Sequence, residues 1–324
     1  MSTENSLGLS GFSFIEFATP EREQLEVQFS LLGFKKIAQH KSKQITLHKQ
    51  GNILFIINTE KVSLAERFAF EHGVSVCGMG FQVENARKAL ETTVMNGATP
   101  FTITVNPGEI HLPAIYGVGG SAIYFTDDLT TAKYFLAQFD FTEDFNQPIL
   151  GAGLIDIDHL KHYLRHGQST IWKKYYQSVF QFETSSIAEN TKFLPANACI
   201  MRTANGKITI PLFEANDENP QVDAFMTMFR GEGIPCISLA TQDIYHTMGV
   251  LRKAGIHFKS APEQYYASLA AGLPMDAEHL QKIKAHGLFV NHNQATNPED
   301  LLLHIETENM LGAISFELVQ HSKF

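Results

Sequence analysis

Short hydrophobic strands alternate along this chain with segments of helical period. Apolar and polar residues alternate over residues 12–17 (FSFIEF), which predicts a strand. Thr19-Pro20-Glu21 then predicts the start of a helix, because proline and acidic residues favour the first helical turn. Gly33 ends this helix, and further strands are predicted at residues 34–37, 45–48 and 53–58. The predicted order is one strand, one helix and three strands.

The same order begins again three times. The strands that open the later units are predicted at residues 74–81, 154–159 and 234–239, and their helices at 85–96, around Trp172 to Phe180, and at 242–254. In the second unit, strands are predicted to follow at residues 101–105, around 110–112, and at 122–125. The aromatic residues of the third helix (Trp172, Tyr175, Tyr176 and Phe180) are expected to pack on the sheet. A glycine-rich join near residues 148–153 predicts two domains, 1–150 and 151–324.

Composition narrows the class of partner. The chain has 324 residues, 44% of them hydrophobic, and a formal net charge of −9. It has no block of basic residues, which argues against nucleic acid and against an anionic membrane surface. Three widely spaced cysteines and no secretory pattern predict reduced thiols and a cytoplasmic location. Small molecules are therefore the expected partners, and a homo-oligomer is possible.

Comparison of the two halves points to one candidate metal site. At three positions expected to face a common centre, the first half offers Glu16, Cys77 and Phe125, whereas the second half offers His159, Cys236 and Glu317. Only the second set is metal-capable throughout, and a histidine with a carboxylate and open positions suits non-haem iron. We therefore expect no metal site in the first domain. The alternative is that each of these polar residues is surface-exposed or hydrogen-bonded without a metal.

Several collinear segments carry a family resemblance. They are residues 11–17 (GFSFIEF), 72–79 (HGVSVCGM), 112–120 (LPAIYGVGG), 151–159 (GAGLIDIDH), 229–234 (FRGEGI) and 315–320 (SFELVQ). Together they resemble bacterial 4-hydroxyphenylpyruvate dioxygenase from about Gly8 onward. The resemblance implies an α+β protein of the vicinal oxygen chelate (glyoxalase/bleomycin-resistance-like) fold. Four βαβββ units would pair into two half-open barrels.

The resemblance also implies a reaction. In the family, two histidines and one glutamate hold Fe(II), which takes an aromatic 2-oxo acid and dioxygen. Decarboxylation and ring hydroxylation then give a homogentisate-type product in tyrosine catabolism. His159 matches the first ligand and Glu317 the third, whereas the second, a histidine in the family, is Cys236 here. The expected cofactor is Fe(II), with another divalent metal or none as alternatives.

Other site positions depart from the family pattern. Ala198 and Phe213 replace a serine and an asparagine beside the substrate, and Ser315 replaces an aromatic residue. Gln221 matches the family, and Arg202 is a candidate for binding a carboxylate. The sequence ends at Phe324, ahead of the segment that closes the site in the family, so we expect a more open and wetter site.

One rearrangement would restore a three-ligand set. His304 and Glu306 replace a glutamine and a phenylalanine of the family, and residues two apart on a strand share a face. We therefore hypothesise that His304 replaces the missing ligand, with Cys236 or Glu306 nearby. The alternative for Cys236 is a buried, inert thiol. At the level of function, the alternative to an iron dioxygenase is a ligand-binding pseudoenzyme.

Two further histidines are expected to be uninvolved. His162 follows the predicted end of its strand, so we expect it to be solvated. His246 falls on the helix after the fourth strand and is expected to be exposed.

Overall fold

The computed structural model describes residues 5–102, 109–143, 145–186, 198–217, 219–272, 276–292 and 300–323. In the first half the elements are β1 Gly11–Ala18, α1 Arg22–Leu31, β2 Lys35–His40, β3 Ile45–Gln50, β4 Ile53–Asn58, α2 Leu64–His72, β5 Ser75–Gln82, α3 Ala86–Met95, β6 Ala114–Tyr116, β7 Ala122–Thr126, α4 Asp128–Gln138 and β8 Phe139–Phe141. In the second half they are β9 Leu154–Leu164, α5 Ser169–Phe180, β10 Glu183–Ser186, β11 Cys199–Arg202, β12 Thr209–Glu214, α6 Pro220–Phe229, β13 Gly233–Thr241, α7 Ile244–Lys253, β14 Phe258–Lys259, α8 Glu263–Gly272, α9 Ala277–His286, β15 Phe289–His292, β16 Asp300–Thr307 and β17 Ser315–Lys323.

The strands form two sheets of matching design. The first has the order β6-β7-β5-β1-β4-β3-β2-β8, and the second has the order β10-β11-β12-β9-β13-β17-β16-β14, with β15 paired to β16. Each sheet is centred on an antiparallel pair, β1 with β5 and β9 with β13. Each central strand has a parallel outer neighbour, which the crossover helices make possible. The predicted repeat is therefore visible in the pairing order, and the predicted boundary at 150/151 falls between β8 and β9.

The two sheets share one hydrophobic core. The largest core cluster contains buried side chains from both halves, and the rings of Phe55 and Phe316 approach to 6.0 Å between centroids. Gln50 links the two halves by hydrogen bonds. Its Oε1 accepts the backbone N–H of Ala152 at 2.6 Å, and its Nε2 donates to the Leu32 carbonyl at 2.9 Å. The side chain of Gln50 is buried, and both its amide oxygen and its amide nitrogen are hydrogen-bonded.

The pairing register corrects two of the facing positions expected in the first half. Glu16 pairs with Gly78, just as His159 pairs with Ser238, so Gly78 rather than Cys77 occupies the facing row. Cys77 is instead buried with Ala18, Ala65 and Phe68. Phe125 lies in the core against Phe180. The expectation that Cys77 and Phe125 face a common centre was wrong, because a β-bulge leaves Cys77 without a register partner between β1 and β5 and packs it under α2, while Phe125 points into the core.

Other elements differ from the prediction in ways that the local pattern explains. Residues 110–112 are not a strand, and residues 103–105 of another predicted strand lie outside the described ranges. Helices α2 and α4 were not predicted; serine and aspartate caps mark their starts, with Ser63 accepting the Glu66 N–H and Asp127 the Thr130 N–H. Within the described residues, no helix is long and apolar enough to cross a membrane.

Candidate active site

Four neighbouring strands of the second sheet present polar side chains on one face. Each strand supplies two residues, two positions apart, which therefore point the same way. The pairs are His159 and Lys161 on β9, Cys236 and Ser238 on β13, Ser315 and Glu317 on β17, and His304 and Glu306 on β16. Registers place Ser238 beside both His159 and Glu317, and Glu306 beside Glu317. The sheet thus gathers a cluster of charges that is dispersed in sequence.

Glu317 is the centre of this cluster. Its Oε2 accepts the Ser238 hydroxyl at 2.5 Å and lies 3.1 Å from His159 Nε2. Its Oε1 accepts from Lys161 Nζ at 3.0 Å and from His304 Nδ1 at 2.9 Å. Burial alone would raise the pKa of this carboxyl, but the Lys161 charge and the histidine hydrogen bonds hold it well below its usual range. Glu317 is therefore a fully engaged, ionised carboxylate.

Lys161 supplies the positive charge for two carboxylates. Besides Glu317, its Nζ lies 3.4 Å from Glu306 Oε2. Burial alone would lower the pKa of the Lys161 ammonium, but the negative charges of Glu317 and Glu306 raise it well above its usual value. A second lysine, Lys259, donates to Glu306 Oε1 at 2.6 Å. The sequence alone did not single out Lys161; its position two residues after His159, on the same face, was the available signal.

His159 is held between two carboxylates. Its Nδ1 lies 2.7 Å from Asp158 Oδ1, and its Nε2 lies 2.8 Å from Ser238 Oγ as well as close to Glu317. Burial alone would lower the pKa of His159, but hydrogen bonds with Asp158 and Glu317 outweigh it and raise the pKa to about 8. Asp158 in turn accepts from His321 Nε2 at 2.7 Å. Two acidic neighbours favour the doubly protonated imidazolium.

Cys236 is a buried thiol beside the lysine. It is 2% exposed and its register partner across the strands is Lys161. Burial raises the pKa of the Cys236 thiol far above neutrality, and the Lys161 charge only partly opposes that rise. A protonated thiol is a poor metal ligand. This geometry favours the inert-thiol interpretation of Cys236.

A cavity of about 290 Å³ opens beside the cluster. It is lined by Asp158, His159, Lys161, Ile200, Arg202, Gly206, Thr209, Pro211, Phe213, Asn291, Leu302, His304, Glu317 and His321. The lining combines apolar and aromatic side chains with charged and polar ones. This combination suits a small aromatic molecule that carries an anionic group.

The structure separates the other predicted site residues into three groups. Phe213, Arg202 and His304 line the cavity. Ala198 packs against the hydrophobic cluster that contains Phe213, and Gln221 is exposed on α6. The Ser315 hydroxyl donates to Glu306 Oε1 at 2.8 Å, so these two support the cluster from its edge.

Of the predictions for the two histidines outside the cluster, one is confirmed and one is wrong. His246 is exposed on α7, as predicted. The expectation that His162 is solvated was wrong, since β9 continues to Leu164 and His162 is fully buried. Its Nε2 lies 2.9 Å from the Tyr176 hydroxyl, on the face opposite to His159 and Lys161. Leu160, Tyr163 and Leu164, which follow His159, were the available signal for a longer strand.

The fit of this cluster to a metal is partial. Donor atoms about 2.1 Å from a metal and at right angles to one another are about 3.0 Å apart, and His159 Nε2 and Glu317 Oε2 are separated by 3.1 Å. However, the described residues contain no group of three His, Cys, Asp or Glu side chains that could hold a metal ion. Lys161 also occupies Glu317 Oε1. Two donors therefore fit, and the lysine competes for one of them.

Comparison with known proteins identifies the family. Residues 3–146 match the family model described as hydroxyphenylpyruvate dioxygenase, N-terminal. Over 322 residues the chain is 38% identical to a 4-hydroxyphenylpyruvate dioxygenase of Legionella pneumophila (strain Corby), covering 99% of this chain and 90% of that one. The chain belongs to the 4-hydroxyphenylpyruvate dioxygenase family. A 4-hydroxyphenylpyruvate dioxygenase of Pseudomonas sp. (strain P.J. 874) is 36% identical, with 98% and 90% coverage.

A solved structure supports the same assignment. A xylose isomerase-like TIM barrel/4-hydroxyphenylpyruvate dioxygenase fusion protein superposes with a TM-score of 0.81 and 26% identity, covering 98% of this chain and 50% of that chain. The predicted family, the α+β vicinal oxygen chelate fold and the prediction of an oxygenase-type enzyme are thereby confirmed. The family implies a metal-dependent dioxygenase. The pseudoenzyme alternative is not favoured.

Proposed function

We propose that this chain oxygenates a small aromatic 2-oxo acid, of the 4-hydroxyphenylpyruvate type, in the cavity of its second half. The observation that carries the proposal is that the His159–Glu317 pair lines a cavity together with Lys161, Arg202 and the aromatic ring of Phe213. The named relatives are 4-hydroxyphenylpyruvate dioxygenases, which supports the same substrate class.

The cavity offers separate places for the two ends of such a molecule. Lys161 and Arg202 line it and provide cations for the carboxylate. Phe213, Pro211 and Leu302 provide apolar surface for the aromatic ring. The two ends of the molecule would therefore be bound by groups of matching character, which fixes its orientation.

The proposal assigns Fe(II) to His159 and Glu317, and the iron would supply the activation of dioxygen. Lys161 must leave Glu317 for that carboxylate to act as a ligand. The carboxylate of the substrate gives the ammonium another anionic partner, so substrate binding favours this release. The buried Nε2 of His304 has no hydrogen-bond partner among the described residues, but the Nδ1 of His304 bonds to Glu317, so its ring would have to release that carboxylate and reorient to become the third donor that we hypothesise. Asp158 and His321 hold the His159 ring in place from the opposite side.

The test measures iron content and oxygen consumption on protein purified without oxygen, reconstituted with Fe(II) and given 4-hydroxyphenylpyruvate. We expect near-stoichiometric iron and oxygen uptake in the wild type, and loss of both in His159→Ala. His246→Ala is the matched control, because His246 is exposed on α7, and it should behave like the wild type. Absence of iron from all three proteins would refute the assigned metal site. Bound iron without oxygen uptake would refute oxygenation of this acid.

A further inference from the structure

The first half of the chain contains a cavity of its own. Its volume is about 400 Å³, larger than the cavity of the second half. Glu16 on β1 lines this cavity, and it occupies the position in the first sheet that His159 occupies on β9 in the second. Nothing in the proposed reaction uses this cavity.

Glu16 is a buried carboxyl group in the lining of this cavity, and neighbouring side chains hold it in position. It is 7% exposed, its Oε1 accepts from Asn58 Nδ2 at 2.7 Å, and the Tyr124 hydroxyl also donates to it. The Glu60 backbone N–H donates to Asn58 Oδ1 at 2.9 Å, which fixes the orientation of that amide. An ionised carboxylate has about four acceptor positions, so two remain for a ligand.

The space above Glu16 depends on a glycine. A Cβ added at Gly78 would lie 2.8 Å from Glu16 Oε2 and 2.7 Å from the Tyr124 ring. Any side chain here would displace the carboxyl group or the ring. The absence of a side chain at position 78 therefore keeps both groups in place.

The charges around this cavity favour a cation. Lys43 is paired with Glu109 at 2.8 Å. Burial lowers the pKa of His40 and of His111, which favours their neutral forms. Burial also raises the pKa of Glu16, whose hydrogen-bond donors Asn58 and Tyr124 are both neutral. A buried carboxyl group held by neutral donors is stabilised in its charged form by a cationic ligand.

The walls favour an aromatic ligand. Phe14, Phe101, Tyr124 and Tyr134 line the cavity. Their rings contact one another in tilted and edge-to-face pairs, such as Phe14 with Tyr124 at 5.4 Å and Phe101 with Tyr124 at 6.3 Å between centroids. Such surfaces bind flat rings by stacking and ammonium groups by cation–π attraction.

We propose that the cavity of the first half is a second ligand site, which binds a small aromatic amine. The ammonium group donates to Glu16, and the ring packs against Phe14 and Tyr134. The second-half cavity, with Lys161 and Arg202, selects an aromatic anion. The two halves of one repeated fold thus bind aromatic molecules of opposite charge.

Calorimetric titration of the full chain tests this proposal with three probes of similar size: benzylamine, phenol and phenylacetate. Each is also titrated in the presence of a saturating concentration of 4-hydroxyphenylpyruvate, which blocks the other cavity. We expect one saturable benzylamine site, with and without the acid. The neutral phenol should bind at least tenfold more weakly. Phenylacetate should not bind once the acid is present. Equal binding of amine and phenylacetate in the presence of the acid would overturn the proposal, and so would the absence of a saturable amine site.

Two variants locate the site. Glu16→Gln keeps the shape of the side chain and removes its charge, so benzylamine should bind at least tenfold more weakly. Glu91→Gln is the matched control, an exposed glutamate paired with Arg87, and should bind as the wild type does. Iron content should be unchanged in both, which separates this proposal from the proposed oxygenase function. If Glu16→Gln does not fold, a crystal structure of the wild type with benzylamine shows where the amine binds. An amine nitrogen within hydrogen-bond distance of Glu16 supports the site, and any other position overturns it.

Discussion

Replacement of Lys161 by methionine tests the central ion-pair cluster most directly. The Lys161 side chain is 13% exposed and that of Glu317 is 4% exposed, so the substitution leaves a buried carboxylate without its cation. Removal of one partner from a buried ion pair costs about 3–5 kcal/mol. Three other donors to Glu317 remain in place, so we expect about 3 kcal/mol, the lower end of that range. Denaturant unfolding at neutral pH measures the change in free energy.

Lys259→Met is the matched control. Lys259 also contacts a carboxylate, at 2.6 Å, but its side chain is 48% exposed. Ion pairs in contact with water contribute about 0–1 kcal/mol. We therefore expect Lys259→Met to lower the free energy of unfolding by no more than about 1 kcal/mol. Equal losses in the two variants would refute the view that burial makes the Lys161 contact dominant.

Addition of Fe(II) to the same variant tests whether the ammonium and a metal compete for Glu317. Without Lys161, Glu317 Oε1 no longer holds an ammonium that competes with a metal, so Lys161→Met should bind Fe(II) more tightly than the wild type does. A ligand at about 100 times its Kd stabilises the native state by about 2.7 kcal/mol. Fe(II) should therefore recover most of the lost stability in the variant. Equal stabilisation of variant and wild type by Fe(II) would refute the competition.

Three further predictions address the fold. Gln50→Ala should lower the free energy of unfolding by about 2–3 kcal/mol in denaturant titrations, because it leaves buried backbone groups at the junction of the halves unpaired. Gly119→Ala should lower the melting temperature, since its Cβ would meet the Glu232 carbonyl oxygen at 2.2 Å, whereas Gly249→Ala, with open space on a helix, should raise it. Burial lowers the pKa of His162 to about 4, so the unfolded state binds the extra proton first and stability should fall as pH drops from about 6.5 towards 4, by about 3 kcal/mol in all; His162→Gln should flatten that part of the pH profile.

The sequence by itself determined the opening strand of each unit and the family. Hydrophobic periodicity predicted the opening strand of each of the four units, because the period of two is a local property of the chain. Strand β4 was predicted with its observed bounds, at residues 53–58. The aromatic face of α5 also followed from helical spacing alone. Collinear similarity to known sequences identified the family without any structural information.

Register, burial and charge pairing were decided only by the tertiary structure. A β-bulge at Cys77 shifts the register of β5 by one residue, so comparison of the two halves in sequence put Cys77 where Gly78 lies. The burial of His162 depends on the length of its strand, because β9 continues beyond it to Leu164. Lys161 was not predicted, since its importance depends on carboxylates about 145 and 156 residues away in sequence. These properties arise from pairing between distant segments, and local sequence carries no information about which distant residue will face which.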